Sequence, residues 1–132
     1  GDAAAASGLA ASAERDAFWA VRRAAIEALA RAAAPQGRAI MKNAALDAHP
    51  SVRAAALAGL GDLKDRGLLA FFQERFAKDV SDAARAESLR AIGKLGDPST
   101  VPFLEQSGAV PSYRHMIAAA AKQAIALAGA RQ

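Results

Sequence analysis

The sequence contains no cysteine, which excludes disulfide bonds, thiolate metal ligands and a cysteine nucleophile. Aromatic residues make up only 5% of the chain, and histidine occurs twice. No apolar run approaches the roughly 20 residues needed to cross a bilayer, so no membrane partner is predicted. The chain begins Gly-Asp rather than with Met, which suggests a processed chain or a fragment of a larger protein, so the lack of a signal-peptide pattern is uninformative.

Small apolar residues are abundant instead, and alanine is the commonest residue in a chain that is 53% hydrophobic. Alanine favours helix but buries little area, so the core must depend on larger apolar residues at regular positions. Strand-forming residues are sparse and the apolar spacing is helical, which predicts an all-α protein. The net charge of +4 arises from basic and acidic residues interspersed along the chain, and does not by itself indicate a polyanionic partner.

One stretch, residues 47–61, supplies the pattern from which the chain can be interpreted. Asp47 lies six residues before Arg53, and Leu57, Leu60 and Leu63 follow the arginine at 4, 7 and 10 residues. That spacing places the three leucines on one face of a helix. A proline in its first turn is tolerated because the missing N–H would have no partner there.

Recognisable copies of this stretch lie on either side. Asp16 and Arg22 stand 31 residues upstream, and Asp79 and Arg85 stand 32 residues downstream. The matching apolar positions are Ile26, Leu29 and Ala32 in the first copy and Leu89, Ile92 and Leu95 in the third. A fourth copy is degenerate because Ala118 replaces the arginine, as is common in terminal repeats.

The pattern predicts an α-α superhelix, a solenoid of about three and a half helical-hairpin repeats. Residues 1–14 form a tail or a partial repeat helix, and residues 15–132 form the repeat domain. Asp16 is the predicted N-cap of the first long helix. The helix at 16–33 is paired with one at 36–47, in which Leu46 is a predicted core residue. The later predicted helices span 51–61, 67–78, 82–95, 99–107 and 112–129.

The pattern Asp-x-x-x-x-Val-Arg-x-x-Ala, present here from Asp47 to Ala56, resembles that of HEAT repeats over about residues 16–128. The resemblance implies that aspartate and arginine residues form a structural ladder between adjacent repeats. The physical expectation agrees, because a carboxylate near a helix start offsets exposed N–H groups and a guanidinium can bridge two groups. The ladder residues are Asp16, Arg22, Asp47, Arg53, Asp79 and Arg85.

A narrower resemblance concerns the two ends of the repeat region. Residues 16–25 and 112–121 are similar to the first and last repeats of the HEAT-like C-terminal domain of bacterial zinc aminopeptidases of the aminopeptidase N type. The resemblance implies a non-catalytic accessory domain that packs beside a catalytic domain and restricts access to its cleft. Zinc would belong to that parent enzyme. No cofactor is predicted in this chain, because neither His49 nor His115 begins a His-Glu-x-x-His motif.

Three aromatic residues are interface candidates: Phe18, Trp19 and Phe71. Phe18 and Trp19 are adjacent and cannot both face one core, so they either cap the solenoid or anchor a preceding domain. His49 and His115 are interpreted as turn residues rather than metal ligands. No catalytic set is readable, and the carboxylates around residues 74–82 are interpreted as surface charges.

Two alternative functions remain. One is a free-standing HEAT scaffold that binds a protein partner on its concave face. The other is a nucleic-acid-binding repeat. Such a repeat requires basic residues along one line, as Arg22, Arg53 and Arg85 are. An aspartate at a fixed offset from each arginine weakens that alternative. The sequence assigns no cellular compartment.

Overall fold

The computed structural model describes residues 2–33 and 35–130, and all regular secondary structure in these residues is helical. The predicted all-α solenoid fold class is confirmed. The helices are α1 (Asp2–Arg15), α2 (Trp19–Ala32), α3 (Gly37–Ala44), α4 (Pro50–Asp62), α5 (Leu69–Lys78), α6 (Asp82–Lys94), α7 (Val101–Ser107) and α8 (Met116–Ala128). Short 3₁₀ turns span Arg66–Leu68, Pro98–Thr100 and Tyr113–His115. Residues 1, 34, 131 and 132, which the predicted domain boundaries include, lie outside the described residues.

The structure pairs the helices differently from the prediction, because each hairpin begins with an odd-numbered helix rather than an even-numbered one. Helix α3 contacts α4 more extensively than it contacts α2, and α5 likewise packs on α6 and α7 on α8. Helix α1 packs against α2 and α3. The hairpins are therefore α1–α2, α3–α4, α5–α6 and α7–α8. The turns that contain Asp16, Asp47 and Asp79 join the two helices within a hairpin rather than linking one hairpin to the next.

The helices form two layers that differ in how closely they pack. Successive even-numbered helices are in extensive contact, whereas α3, α5 and α7 make few contacts with one another. Small residues permit the close approach: a Cβ built on Gly61 would lie 2.9 Å from the Ala91 Cα atom. A closely packed layer beside a spread layer bends the stack, so the even helices line the concave face.

Large apolar side chains fill the space between the layers. Six of the predicted face positions are completely buried, two in each copy: Ile26, Leu29, Leu57, Leu60, Leu89 and Ile92. Phe72, Leu104 and Ile117 complete the core from α5, α7 and α8.

Three predicted core positions are exposed. Leu46 is 59% exposed because α3 ends at Ala44 and the residue lies in the following turn, where Ala45 is buried instead. Ala32 and Leu63 are also exposed, at the ends of α2 and α4, whereas Leu95 at the matching position after α6 is buried.

The packing predicts opposite effects for two glycine-to-alanine substitutions. A Cβ at Gly93 would lie 2.5 Å from the Ala124 Cα atom and 2.8 Å from its carbonyl oxygen, so α8 would have to move. We expect Gly93→Ala to lower the free energy of unfolding by about 1–3 kcal/mol. Gly8 in α1 meets nothing within 4 Å, and we expect Gly8→Ala to raise the free energy by about 0.5–1 kcal/mol. Urea unfolding measures both, and destabilisation of equal size in the two variants would contradict this packing.

Candidate functional site

Three turns that lead into even helices share one hydrogen-bonding pattern. In each, the Oδ1 atom of an aspartate accepts a hydrogen bond from the backbone N–H two residues later, at 2.8–2.9 Å. The residue that donates has an extended backbone and is the N-cap of the helix. The aspartate and N-cap pairs are Asp16–Phe18, Asp47–His49 and Asp79–Ser81.

The prediction that Asp16 is the N-cap of α2 is therefore wrong. Helix α2 begins at Trp19 and Phe18 is its N-cap, without a side-chain capping bond. Asp16 instead closes the turn before the cap, since a short carboxylate side chain readily bonds the backbone two residues ahead.

Two arginines connect these turns. The Nε and Nη2 atoms of Arg22 donate to the Asp47 carboxylate at 2.8 and 2.9 Å, and Nη1 donates to the Asp16 carbonyl at 2.7 Å. Arg53 repeats the arrangement with the Asp79 carboxylate at 2.9 and 3.1 Å, and with the Asp47 carbonyl at 2.9 Å. Each guanidinium thus joins the turn of its own hairpin to the turn of the next.

The first of these pairs changes the pKa of both partners. Burial of the Asp47 carboxylate raises its pKa, but hydrogen bonds from Arg22 and from the His49 amide outweigh burial and hold the pKa below its ordinary value of 3.8. The hydrogen bond to Asp47 raises the pKa of Arg22. Both groups are therefore charged in neutral solution, as a bidentate pair requires.

Arg85 does not join the ladder in the same way. Its Nε atom donates to the Phe76 carbonyl at 2.9 Å, and its Cζ atom lies 4.6 Å from the centre of the Phe76 ring. Ser112 occupies the position where the next aspartate would stand, and its Oγ atom accepts from the Ile117 N–H at 2.9 Å. Of the six predicted ladder residues, the structure brings five together.

The turns that lead into the even helices lie side by side. Arg22 and Arg53 bridge the first three turns, and a hydrogen bond of 2.8 Å from the Tyr113 N–H to Asp82 holds the fourth turn against α6. We name this surface the turn edge; it comprises residues 16–21, 46–49, 79–82 and 112–115. Phe18 is 73% exposed and Val80 is 93% exposed. The exposed large apolar side chains of the turn edge are Phe18, Trp19, Val21, Leu46, Val80 and Tyr113. In the described residues only Leu63 and Leu127 are comparable, and both lie near the opposite ends of even helices.

The three aromatic interface candidates fall into two environments. Trp19 is 41% exposed and stacks on His49, with ring centroids 4.0 Å apart and planes at 7°. Phe71 lies on α5, away from the turn edge, where it meets the Phe72 ring edge-on and the Lys42 ammonium lies 5.2 Å from its centroid. The structure thus places Phe18 and Trp19 together and Phe71 apart.

The two histidines occupy turns. The Nδ1 atom of His49 accepts from the Ser51 N–H at 3.1 Å, and His115 precedes α8 with a φ of 57°. In the described part of the chain no three His, Cys, Asp or Glu side chains come together in a way that could hold a metal ion.

Arg75, on α5, lies beside the turn edge, and the repeat pattern did not predict a role for it. It lines a cavity of about 230 Å³ together with Leu46, Lys78 and Val80. Its Nε atom is buried without a hydrogen-bond partner in the described structure, and its Nη2 atom lies 3.6 Å from Glu74. Arg75 lies four residues before Asp79, and the matching residues before Asp47 and Ser112 are Asn43 and Gly108. The repeats share no residue type at this position, so the sequence pattern gave no signal for Arg75.

The concave face exposes fewer large apolar side chains than the turn edge does. A groove of about 310 Å³ lies between α2 and α4, with Ala54, Ala55 and Ala58 along α4. Charged side chains border it, including Arg23 and Glu27, which form an exposed ion pair at 3.5 Å.

Comparison with known protein families agrees with this architecture. The sequence profile of the family described as HEAT repeats matches residues 6–91 and, in a second overlapping match, residues 45–126. The chain belongs to the HEAT-repeat family. HEAT-repeat domains are in general non-catalytic and commonly mediate protein–protein interaction. No curated protein matches this HEAT-repeat chain in sequence. None of its described helices is long and apolar enough to span a membrane.

The ladder predicts unequal effects for two arginine substitutions. The side chains of Arg53 and Asp79 are only 13% and 2% exposed, so Arg53→Ala leaves a buried carboxylate without its cation. We expect a loss of about 2–4 kcal/mol in the free energy of unfolding. Arg23 forms an exposed pair with Glu27, and Arg23→Ala should cost less than about 0.5 kcal/mol. Chemical denaturation measures both, and similar losses would show that the ladder is not a structural element.

The lowered pKa of Asp47 predicts a dependence of stability on pH. Because the folded pKa lies below the ordinary value of 3.8, the stabilisation is present above that value and is lost as the pH falls through the folded pKa. Asp97 contributes in the same direction, since bonds from the Ser99 side chain and amide lower its pKa. We expect Asp47→Asn to be less stable at neutral pH and to lose less stability below about pH 4 than the parent chain. Unfolding curves at a series of pH values test this, and parallel pH profiles would refute it.

Proposed function

We propose that this HEAT-repeat chain is a non-catalytic protein-binding module and that the turn edge is its contact surface. The observation that carries the proposal is the row of exposed apolar side chains along that edge, from Phe18 through Val80 to Tyr113. Exposed apolar side chains that are grouped on one surface are typical of protein interaction sites. The concave groove, with its alanines and bordering charges, supports binding less well than the edge does.

The ladder gives the turn edge the rigidity that binding requires. Arg22 and Arg53 fix adjacent turns through paired hydrogen bonds, so the apolar side chains between them are presented in a fixed arrangement. A surface that is ordered before binding loses less conformational entropy on association. The same pairing argues against nucleic-acid binding, because the guanidinium groups of both arginines are already bound to carboxylates.

The specific partner we propose is a catalytic domain on the same polypeptide, of the zinc aminopeptidase type. The support is the resemblance at residues 16–25 and 112–121, together with the exposure of Phe18 and Trp19 at the first turn. In that arrangement the helical module would pack beside the catalytic domain and limit access to its cleft. A free-standing scaffold that binds a separate protein uses the same edge.

Photo-crosslinking from the turn edge tests the proposal. We expect a photoreactive phenylalanine analogue in place of Val80 to form a discrete protein adduct in cells that express the full-length gene. The same analogue in place of Leu127, which is 48% exposed near the opposite end of α8, is the matched control. Adducts of equal yield at both positions, or at neither, would contradict the turn edge as the contact surface.

The identity of the adduct separates the two kinds of partner. A peptide from the same polypeptide that carries a His-Glu-x-x-His motif supports the accessory domain, whereas a peptide from another protein supports the free-standing scaffold. A peptidase assay on aminoacyl-anilide substrates, with a zinc chelator as control, then checks the first outcome. Absence of chelator-sensitive activity from the longest native form would refute the aminopeptidase parentage.

A further inference from the structure

Arg85 has a guanidinium edge without a protein partner among the described residues. Its Nε atom donates to the Phe76 carbonyl, and its Cζ atom lies 4.6 Å from the centre of the Phe76 ring. Nη1 and Nη2 donate to no described atom, and neither is among the buried atoms left without a partner, so both contact solvent. At Arg22 and Arg53 the corresponding guanidinium groups hold a carboxylate with two hydrogen bonds.

The missing carboxylate has a local cause. Ser112 replaces the aspartate of the fourth turn, and its hydroxyl serves the start of α8 through the Ile117 amide. The turn is held against α6 instead by Asp82, whose Oδ2 atom accepts from the Tyr113 N–H at 2.8 Å. Asp82 lies one helical turn before Arg85, so the fourth turn sits close to the unpaired guanidinium edge.

The fourth turn carries a further cation, Arg114, whose Cζ atom lies 5.2 Å from the centre of the exposed Tyr113 ring. Arg114 and His115 follow in the same turn, both exposed and both with positive φ angles of 48° and 57°. Residues other than glycine adopt such angles at an energetic cost, and they occur often at functional sites. The nearby carboxylates of Asp79 and Asp82 are already bound to Arg53 and to the Tyr113 amide.

We propose that the Nη1 and Nη2 atoms of Arg85 bind an aspartate or glutamate side chain of a protein partner. At Arg22 and Arg53 the carboxylate of the next hairpin is held by Nε and Nη2. At Arg85 the Nε atom is occupied by the Phe76 carbonyl, so the partner's carboxylate binds the Nη1–Nη2 edge instead. Binding through these two nitrogens leaves the bond from Nε to Phe76 intact, and bidentate pairing of this kind is specific for carboxylates. The site rests on the proposed function of the turn edge and names the chemistry that one end of it recognises.

An NMR titration of the arginine side-chain Nε–Hε signals tests the site directly. The probe is N-acetyl-glutamic acid α-amide, which carries a single carboxylate, and the neutral control is N-acetyl-glutamine amide. We expect a saturable shift of the Arg85 signal with a Kd on the order of millimolar or weaker, since one partly exposed pair contributes little free energy. The exposed Arg23 should show only a small, non-saturating shift.

Two substitutions at Ser112 make the test independent of folding. Ser112→Asp supplies the missing carboxylate from within the chain, so the Arg85 signal should lose its saturable response to the probe. Ser112→Asn is neutral and nearly the same size, and should keep the response. Circular dichroism confirms that both variants are folded.

The outcomes separate this site from the wider proposal. A response of Arg85 that equals that of Arg23, or that survives unchanged in Ser112→Asp, overturns the carboxylate site. A discrete adduct from position 80 together with such a result overturns the site alone and leaves the turn edge as a binding surface. A saturable, Ser112→Asp-sensitive response without an adduct supports the site and counts against the wider edge.

Discussion

The close approach of the even helices is the constraint on which the rest of the structure depends. Gly61 and Gly93 face Ala91 and Ala124 on the next even helix, and a Cβ at either glycine would meet backbone atoms there. This spacing brings successive turns near enough for one guanidinium to bind both. It also leaves the odd helices spread apart, which gives the solenoid its curvature. The ladder and the turn edge are consequences of how small these contact residues are.

The periodic part of the structure could be predicted from the sequence because it repeats. An aspartate, an arginine six residues later and two apolar residues at fixed offsets recur three times, and the two apolar positions of each copy are buried. The pairing of helices into hairpins could not be predicted in the same way, because nothing in the repeated pattern distinguishes the first helix of a hairpin from the second. Contact between layers decides it, and that depends on residues far apart in the sequence.

The features of the site that escaped prediction are departures from the repeat. Arg75 lies at a position where the repeats share no residue type, and Ser112 replaces an aspartate, so neither is visible in the average pattern. The N-cap of α2 was misplaced because an aspartate can bond either the helix start or its own turn, and only the backbone geometry distinguishes the two. The exposure of Leu46 followed from where α3 ends, which a continuous apolar pattern does not indicate.

Trp19 is the only tryptophan in the chain, and it stacks on His49 between the first two hairpins. Its fluorescence therefore reports the folded state of the N-terminal half of the solenoid and is insensitive to the C-terminal half. Repeat proteins can unfold from one end, because each repeat contacts only its neighbours. If the last hairpin opens first, circular dichroism records a loss of helix while the fluorescence stays native. Two probes that disagree would then reflect loss of cooperativity along the array, and a single melting temperature would not describe the molecule.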